Sequence, residues 1–489
     1  MMRSLYSGVS GLRVHQTKMD VIGNNISNVN TVGFKSSSVT FSDILYQTTK
    51  SASGPSAETG VAGTNATQVG LGATLSSITT NIGKVGGSQR TDNAFDVMIE
   101  GDGFFVVNNG NGNYFTRAGS FQVDAAGTLC TATGAKVMGW QVDKNNPNKT
   151  AMDTVSELKV MSPENLISEP KGTTNSYLTG NIDMNDTQLT SDAGRPVSMS
   201  FYDNLGNKYN ASFKIVKDEA ADSSSQFKIK LADITDESGD SIFVKKVVDD
   251  DGTVTYEASS IESFNFGLED GDNTTVEVDE KTGEVKIEMT GFDIFFNGST
   301  GEFRGVGELP TGDEDPIESL TFKVNSDPAD RFPSIDINFS KLTMFSNSGK
   351  SSVVANRGNV EDGTGAGNAV GELSGVSIDQ AGKIYGVYDN GDQKLFGQIV
   401  VATFANPAGL ESVGNNMYAA TQNSGEFDGI GQDVTSAGGS FETGVLEMSN
   451  VDLSSEFTEM ITTQRGFQAN SRIITTSDTL LEELINLKR

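Results

Sequence analysis

Cysteine and histidine are each used once in 489 residues, as Cys130 and His15. One cysteine allows no intramolecular disulfide framework, and one of each cannot build a Cys/His zinc site. A Ser-His-Asp or Cys-His centre would have to use His15 or Cys130, and neither stands in a nucleophile motif. Proline is scarce, 10 against 55 glycines, which fits many short strands and turns better than proline-rich linkers. Positive charge is scarce too: 35 Lys+Arg face 65 Asp+Glu, a net charge of −30. Such acidity argues against nucleic acid and anionic lipid as main partners. No apolar run approaches the roughly 18 residues of a membrane helix. The first residues, Met1 to Gln16, lack the apolar core of about 7–15 residues that marks a secretory leader. The chain is therefore expected to be cytosolic or exported without a cleaved leader. At roughly 100–200 residues per domain, its length suggests about three domains.

The charge is unevenly spread. Residues 1–92 hold 7 basic and 4 acidic side chains, and residues 445–489 hold 4 and 7. The ends cancel, so the segment 93–444 carries the whole −30, with 24 basic against 54 acidic residues. Ends of this kind can pack closely with like chains while the middle stays solvated.

Both ends read as helices. Leu5, Val9, Leu12, Met19, Ile22, Ile26 and Val29 recur mostly at steps of three, four or seven, one face of a helix. Arg3, Arg13, Lys18 and Asp20 take the opposite face, and a break is expected at Asn30-Thr31-Val32-Gly33. At the other end Leu453, Phe457, Met460, Phe467, Ile474, Leu481 and Ile485 form a stripe, with Gln464, Ser471 and Asp478 between them. A second row, Ile461, Ile473, Leu480, Leu484 and Leu487, widens it. Asp452 or Ser449 can cap this helix, which at about 35 residues would run roughly 50 Å. The two stripes are expected to pair as a coiled-coil stem and also to pack against other copies of the chain.

From Thr74 the period changes to two. Ala94–Glu100, the turn Gly101-Asp102-Gly103 and Phe104–Val107 read as a hairpin. Val197–Tyr202 alternates cleanly, turns at Asp203-Asn204-Leu205-Gly206-Asn207 and returns through Tyr209, Ala211, Phe213 and Ile215. Further strands are expected at 227–231, 275–278, 285–289, 292–296, 319–324, 335–339, 373–378, 383–388 and 395–404, with a turn at Asp389-Asn390-Gly391-Asp392. Short strands between frequent turns indicate β-sandwich or barrel domains. The fold class is therefore mixed: long terminal α-helices forming a coiled-coil stem, with β-sandwich or barrel domains nested between them. The acidic stretches Asp249-Asp250-Asp251 and Glu269-Asp270-Gly271-Asp272 lack the EF-hand register and read as solvated turns.

Several of these residues carry a family likeness. The run Ser4-Leu5-Tyr6-Ser7-Gly8-Val9-Ser10-Gly11-Leu12, then Gln16, then Met19 through Gly33-Phe34-Lys35, resembles the N-terminal signature of bacterial flagellar rod and hook proteins. The runs Ser449–Phe457 and Met460–Arg472 resemble the other end of the same family. Met98–Phe105 with Phe115-Thr116-Arg117-Ala118-Gly119-Ser120-Phe121 is similar to its shared β-domain. The long middle, with Tyr202–Asn207, Gly397-Gln398-Ile399, Phe404–Leu410 and Gly414-Asn415-Asn416, resembles the hook members; distal rod members are much shorter.

The resemblance implies a structural subunit without enzymatic activity. It would self-assemble into the short curved tube that joins motor and rod to the filament, a flexible joint in motility. No catalytic, cofactor-binding or metal-binding residue is assigned. The alternatives are a distal rod or hook–filament junction protein, or a soluble surface-binding β-domain protein. The implied partners are further copies of the chain, rod, hook-cap and junction proteins, and the flagellar type III export machinery; neither nucleic acid nor membrane is among them. The implied location is the hook at the cell surface. The expected division is a helical core domain at 1–32 and 450–489, a linker arm at 33–72, an inner β-domain at 73–145 and 357–449, and one or two outer β-domains at 146–356. The polymerisation interface is assigned to the thirteen stripe residues Leu5, Val9, Leu12, Met19, Ile22, Ile26, Leu453, Phe457, Met460, Phe467, Ile474, Leu481 and Ile485. His15 reads as a helix-surface or interface residue. Spirochete members of this family join subunits by a Cys–Lys link; its residues find no match here, and Cys130 reads as a small buried apolar side chain.

Overall fold

The computed structural model describes residues 2–55, 60, 62–143, 146–217, 225–248, 254–259, 261, 263–267, 275–279, 282–289, 291–307, 315–325 and 331–487. The acidic stretches at 249–251 and 269–272, expected as solvated turns, lie outside the described residues. The chain is β-rich, with one long helix at each end, α1 (Met2–Ser27) and α2 (Leu453–Asn486). It divides into two compact units. The first holds Met1–Leu166, Gly375–Val387 and Gln393–Arg489; the second holds Ile167–Ser374 and Tyr388–Asp392.

In the first unit, asparagines end α1. The Asn28 side-chain amide donates to the Asn24 carbonyl at 2.9 Å, beside the backbone bond from Asn28 N–H to the same oxygen at 3.2 Å. Gly33 then takes φ +69°, and its N–H donates to the Glu447 carbonyl at 2.7 Å. Asp452 caps α2, accepting from the N–H groups of Ser454 and Ser455 at 2.9 and 3.3 Å. Such a cap stabilises a helix by about 1 kcal/mol.

Within 33–72, expected as an extended arm, the described strands belong to antiparallel ribbons. Ser37–Asp43 pairs with Ala73–Thr80, and Tyr46–Lys50 pairs with Thr67–Gly70. The Ser/Thr composition has a structural use here. Hydroxyl pairs cross the ribbon at Ser38–Thr79 (3.1 Å) and Thr40–Ser77 (2.7 Å). A two-stranded ribbon is marginal alone; this one lies against α1, whose Val14 is buried.

The β-part of this unit is a sheet in the order Gln393–Ile399, Lys136–Asp143, Phe104–Asn108, Asn113–Thr116, Met417–Ala419, Glu411–Gly414. Phe104, Val106, Phe115, Trp140, Val400 and Tyr418 fill its core. Residues 395–404, expected as one strand, are two pieces, Gln393–Ile399 and Val401–Ala402. The second piece pairs with Phe104 and Phe105.

The second unit contains two five-stranded sheets. One runs Arg195–Tyr202, Lys208–Lys217, Gln226–Thr235, Phe292–Phe296, Phe303–Val306; the other runs Ser263–Asn265, Ser319–Asn325, Ile335–Thr343, Asn175–Asn181, Ser352–Arg357. Both send alternate residues into one aromatic core, where Phe213 and Phe322 lie 6.2 Å apart edge to face and Phe292 and Phe339 5.5 Å. The expected hairpin at 197–215 has the register Phe201↔Tyr209 and Val197↔Phe213.

One turn recurs in both units, with the pattern Asp-x-x-Gly-x. In each, the Asp carboxylate accepts two backbone N–H groups, two and four residues on. The distances are 3.0 and 2.7 Å at Asp124, 3.0 and 2.8 Å at Asp203, 2.9 and 2.9 Å at Asp236, and 3.0 and 2.7 Å at Asp379. The glycine at the fourth position takes φ between +80° and +89° in all four. That conformation costs other residues roughly 1 kcal/mol or more, and the carboxylate supplies the partners that the turn's amides lack.

Candidate assembly face of the terminal helices

α1 and α2 run antiparallel, and their contacts keep one register. Ser4 Oγ lies 3.4 Å from Ser477 Oγ, Lys18 Nζ is 3.0 Å from Glu459 Oε2, and Asn25 Nδ2 donates to Glu456 Oε1 at 3.0 Å. Between these points the seam is built on glycine. A Cβ on Gly8 would meet Ile474 Cγ1 at 3.1 Å, one on Gly11 would meet the Asn470 amide at 2.6 Å, and one on Gly466 would meet the His15 ring at 2.8 Å. The positions Ser4, Gly8, Gly11, His15, Lys18, Ile22 and Asn25 follow steps of four and three, a coiled-coil rhythm written, apart from Ile22, in small and polar residues.

The apolar stripes expected to pair with each other meet only in part: Ile474 packs at Gly8 across the seam and Ile22 is buried, beside small and polar residues. The thirteen stripe residues divide. Ile22 is buried at 2% exposure, and Leu5, Leu12, Met19, Ile26, Met460, Phe467, Ile474 and Leu481 are half-buried. Val9, Leu453, Phe457 and Ile485 stand exposed. So does the second row on α2, with Ile461 at 58%, Leu484 at 50% and Leu487 at 84%. Small residues at a seam let the helix axes approach closely, while Val9, Leu453, Phe457, Ile461 and Ile485 remain exposed. Contiguous exposed apolar surface of this kind marks an interaction face.

The ends of both helices are tied to the sheet by buried polar groups. Asn25 donates also to the Ser37 carbonyl at 2.9 Å and accepts from Ser37 N–H at 3.0 Å, so one side chain links α1, α2 and the ribbon. Asn450 accepts from Ser36 N–H at 2.7 Å and donates to the carbonyls of Asn81 and Lys84. Beneath lies an ion cluster. Lys35 Nζ donates to Glu447 Oε1 at 2.6 Å and to the Lys84 carbonyl at 2.8 Å, and both charged side chains are wholly buried. Gly86 N–H donates to the same oxygen at 3.0 Å, and Arg117 Nη1 lies 3.6 Å from Glu447 Oε2. Burial pushes the Lys35 and Arg117 pKa values down, with Glu447 opposing. Burial, reinforced by Glu447, pushes Tyr418 up to about 12, so its hydroxyl stays protonated at neutral pH.

Sequence reading quoted Lys35 and Arg117 only as parts of motifs, and it missed Glu447, Asn450 and Asn25 as a set. Charges as far apart in the chain as Lys35, Arg117 and Glu447 give no periodic signal. Only Lys35 just past a helix end and Glu447 just before one hinted at a joint.

His15 belongs to the seam, 6.0 Å edge to face from Phe41. Its pKa is lowered from the ordinary 6.5 by burial first and by Lys18 second. Separated helices therefore take up the proton first. The contribution of His15 to helix pairing is fully present above pH 6.5 and is lost as pH falls through the lower folded value. Helical circular dichroism melts at pH 7.5 and 5.5 should show a lower midpoint at 5.5, and His15→Gln should remove most of the difference. An equal pH response in His15→Gln would exclude His15 as its source.

Among the described residues, no group of three or more His, Cys, Asp or Glu side chains is placed to hold a metal ion. No described helix is long and apolar enough to cross a membrane.

Three family descriptions match parts of the chain: flagella basal body rod protein at residues 5–35, flagellar hook protein FlgE/F/G D1 domain at 98–168, and flagellar basal body rod FlgEFG protein C-terminal at 442–487. The first spans most of α1 up to Lys35, and the last spans Glu447 and α2. The flagellar hook protein FlgE of Borreliella burgdorferi is 34% identical over 499 residues, covering all of both chains. The FlgE of Treponema pallidum is 34% identical over 498 residues, again covering all of both. The FlgE of Salmonella typhimurium is 30% identical over 497 residues, covering 99% of this chain and 100% of its own. An anchored pair of terminal helices around a β-rich middle, with full-length identity of this size, makes the chain a member of the flagellar hook protein FlgE family.

Proposed function

We propose that the chain is a structural subunit that self-assembles into the curved tubular hook joining the flagellar rod to the filament, and that it acts there as a flexible joint in motility. One observation carries the mechanism. The seam between α1 and α2 is filled by Gly8, Gly11, Gly466, His15 and Asn470, while Phe457, Ile461 and their neighbours stay exposed. A stem of this kind lacks its main hydrophobic stabilisation until other copies cover the stripe.

In this reading the helices form a coiled-coil stem and, with their copies, the inner wall of the tube. The stripe residues make the polymer contact, led by the exposed Val9, Leu453, Phe457 and Ile485, while Ile22 serves inside the subunit. The nested β-domains, sandwich-like in the second unit, form the outer layers. Their acidic surfaces resist tight docking and leave neighbours free to slide as the tube bends. The buried anchor at Lys35, Glu447 and Arg117 carries torque from stem to shell without a soft joint. The partners are rod, hook-cap and hook–filament junction proteins, reached by type III export to the cell surface. The test is electron microscopy of the full chain beside one lacking residues 1–30 and 450–489, each seeded with rod-plus-cap template. Curved tubes are expected from the full chain alone. Discrete particles from the seeded full chain would sink the reading.

A further inference from the structure

Two cavities in the second unit share Tyr209, Asp236 and Arg331 as a common wall. Their volumes are about 450 and 430 Å³, inside the range of about 300–1,000 Å³ usual for ligand sites. The wall is firmly held. Arg331 Nη2 donates to the Tyr209 hydroxyl at 2.6 Å, and Arg331 Nε lies 3.5 Å from Oδ2 of the wholly buried Asp203. Asp203 is fixed in turn by the N–H groups of Leu205 and Asn207. The guanidinium lies 5.3 Å from the Phe332 ring centre, and Tyr209 and Phe332 meet edge to face at 5.1 Å. Arg331 nevertheless keeps 37% of its side chain exposed. A guanidinium positioned by its neighbours and still within reach of solvent loses little freedom when it takes a ligand.

The larger cavity is bordered by a ribbon, Val244–Val248 paired with Val254–Ala258. Lys246 and Tyr256 are register partners, so their side chains share one face. Gly283 lies flush against the Tyr256 ring: a Cβ there would meet Cδ1 at 2.9 Å, so the ring is propped in place. Lys245, Lys246 and Asp240 line this cavity, and Lys208 and Glu237 line the other. With Arg331 and Asp236 common to both, each cavity carries both signs of charge, in a chain whose net charge is −30.

That lining selects a ligand class. A phosphate would meet the carboxylates, and a cation would meet Arg331 and the lysines. An apolar ligand would strip water from all of these charges without replacing it. A neutral molecule dense in hydroxyls offers donors to the carboxylates and acceptors to the cations, and its C–H faces can lie on an aromatic ring. We propose that this cleft binds a neutral oligosaccharide, one sugar ring against Tyr256 and its hydroxyls between Arg331, Lys246 and Asp240. Cavities on either side of one arginine suit linked rings better than a single one. The site uses no residue of the terminal helices and stands or falls apart from the hook-subunit reading.

The test titrates cellohexaose and N-acetylchitohexaose into the unseeded full chain by calorimetry, with inorganic phosphate as the anion control. At least one of the sugars should bind with a Kd of about 1 mM or tighter, and phosphate should not displace it. Tyr256→Ala and Lys246→Met change half-buried and exposed side chains on the ribbon. Each should weaken binding by about tenfold or more and leave the thermal midpoint of the chain unchanged. Arg331→Lys, which keeps the charge and loses the planar fork, should weaken it as well. Failure of both sugars to bind, or binding that both ribbon variants leave unaltered, would overturn the proposal. Phosphate competing with the sugar would make the cleft an anion site and overturn it too. None of these outcomes bears on whether the chain forms tubes on seeds.

Discussion

Glu447→Leu should destabilise the helix-bearing unit more than any other single change in the anchor, by about 3–5 kcal/mol. It strands two buried cations at once, since the carboxylate faces Lys35 at 2.6 Å and Arg117 at 3.6 Å. It also leaves the Gly86 N–H without its acceptor. Lys35→Met should cost less, about 2 kcal/mol, because Glu447 keeps Arg117 and the Gly86 amide. The double variant should fall between the two, since it removes the stranded ammonium along with the carboxylate; the coupling is thus non-additive. The readout is convenient. Trp140, the single tryptophan, is buried in this unit and donates to the Ile430 carbonyl at 2.9 Å, so its fluorescence in urea follows this unit and not the other. Equal losses for Glu447→Leu and Lys35→Met would mean that Arg117 draws nothing from Glu447. Losses under about 1 kcal/mol would mean that the cluster is an ornament of the joint and not its anchor.

The second large effect concerns assembly, not folding. Phe457→Asp/Ile461→Asp alters two side chains one turn apart that are 49% and 58% exposed. The Trp140 unfolding midpoint should stay within about 0.5 kcal/mol of the parent. The critical concentration for tubes should rise by about 100-fold or more. Covering each large apolar side chain is worth about 1.5–3 kcal/mol, and about 3 kcal/mol in sum corresponds to more than two decades in association. The cost of desolvating two carboxylates in such a contact works in the same direction. Light scattering against protein concentration measures this directly. Unchanged tubes from the double variant would show that the stripe faces solvent in the polymer and that the contact lies elsewhere.

Much of the architecture was legible beforehand because it follows from local rules. The 3.6-residue period of the ends, the Asp452 cap and the asparagines that stop α1 are properties of short stretches. So is the alternation of Val197–Tyr202 and its return strand. The Asp-x-x-Gly-x corners are equally local, since the carboxylate and the left-handed glycine act within five residues. Strands with weak alternation were lost. Asn175–Asn181 is polar and contains a glycine, yet it sits inside a sheet, parallel to Ile335–Thr343. Its place comes from neighbours more than 150 residues away.

Periodicity placed an amphipathic helix at each end of a β-rich chain, counting placed the whole net charge in the middle, and the terminal motifs resembled those of flagellar axial proteins. Periodicity and composition are additive along a chain, so they can be read without coordinates. Only the tertiary structure decided which face of each helix meets the other. The stripe with the larger hydrophobic payload looked like the seam. The glycines at 8, 11 and 466 permit a close approach that takes in Ile22 and Ile474 and leaves Val9, Phe457, Ile461 and Ile485 outward. Tertiary structure alone also brought Lys35 and Arg117 to Glu447, because a buried ion pair depends on the spatial meeting of residues 412 and 330 positions apart, and no local pattern encodes that meeting.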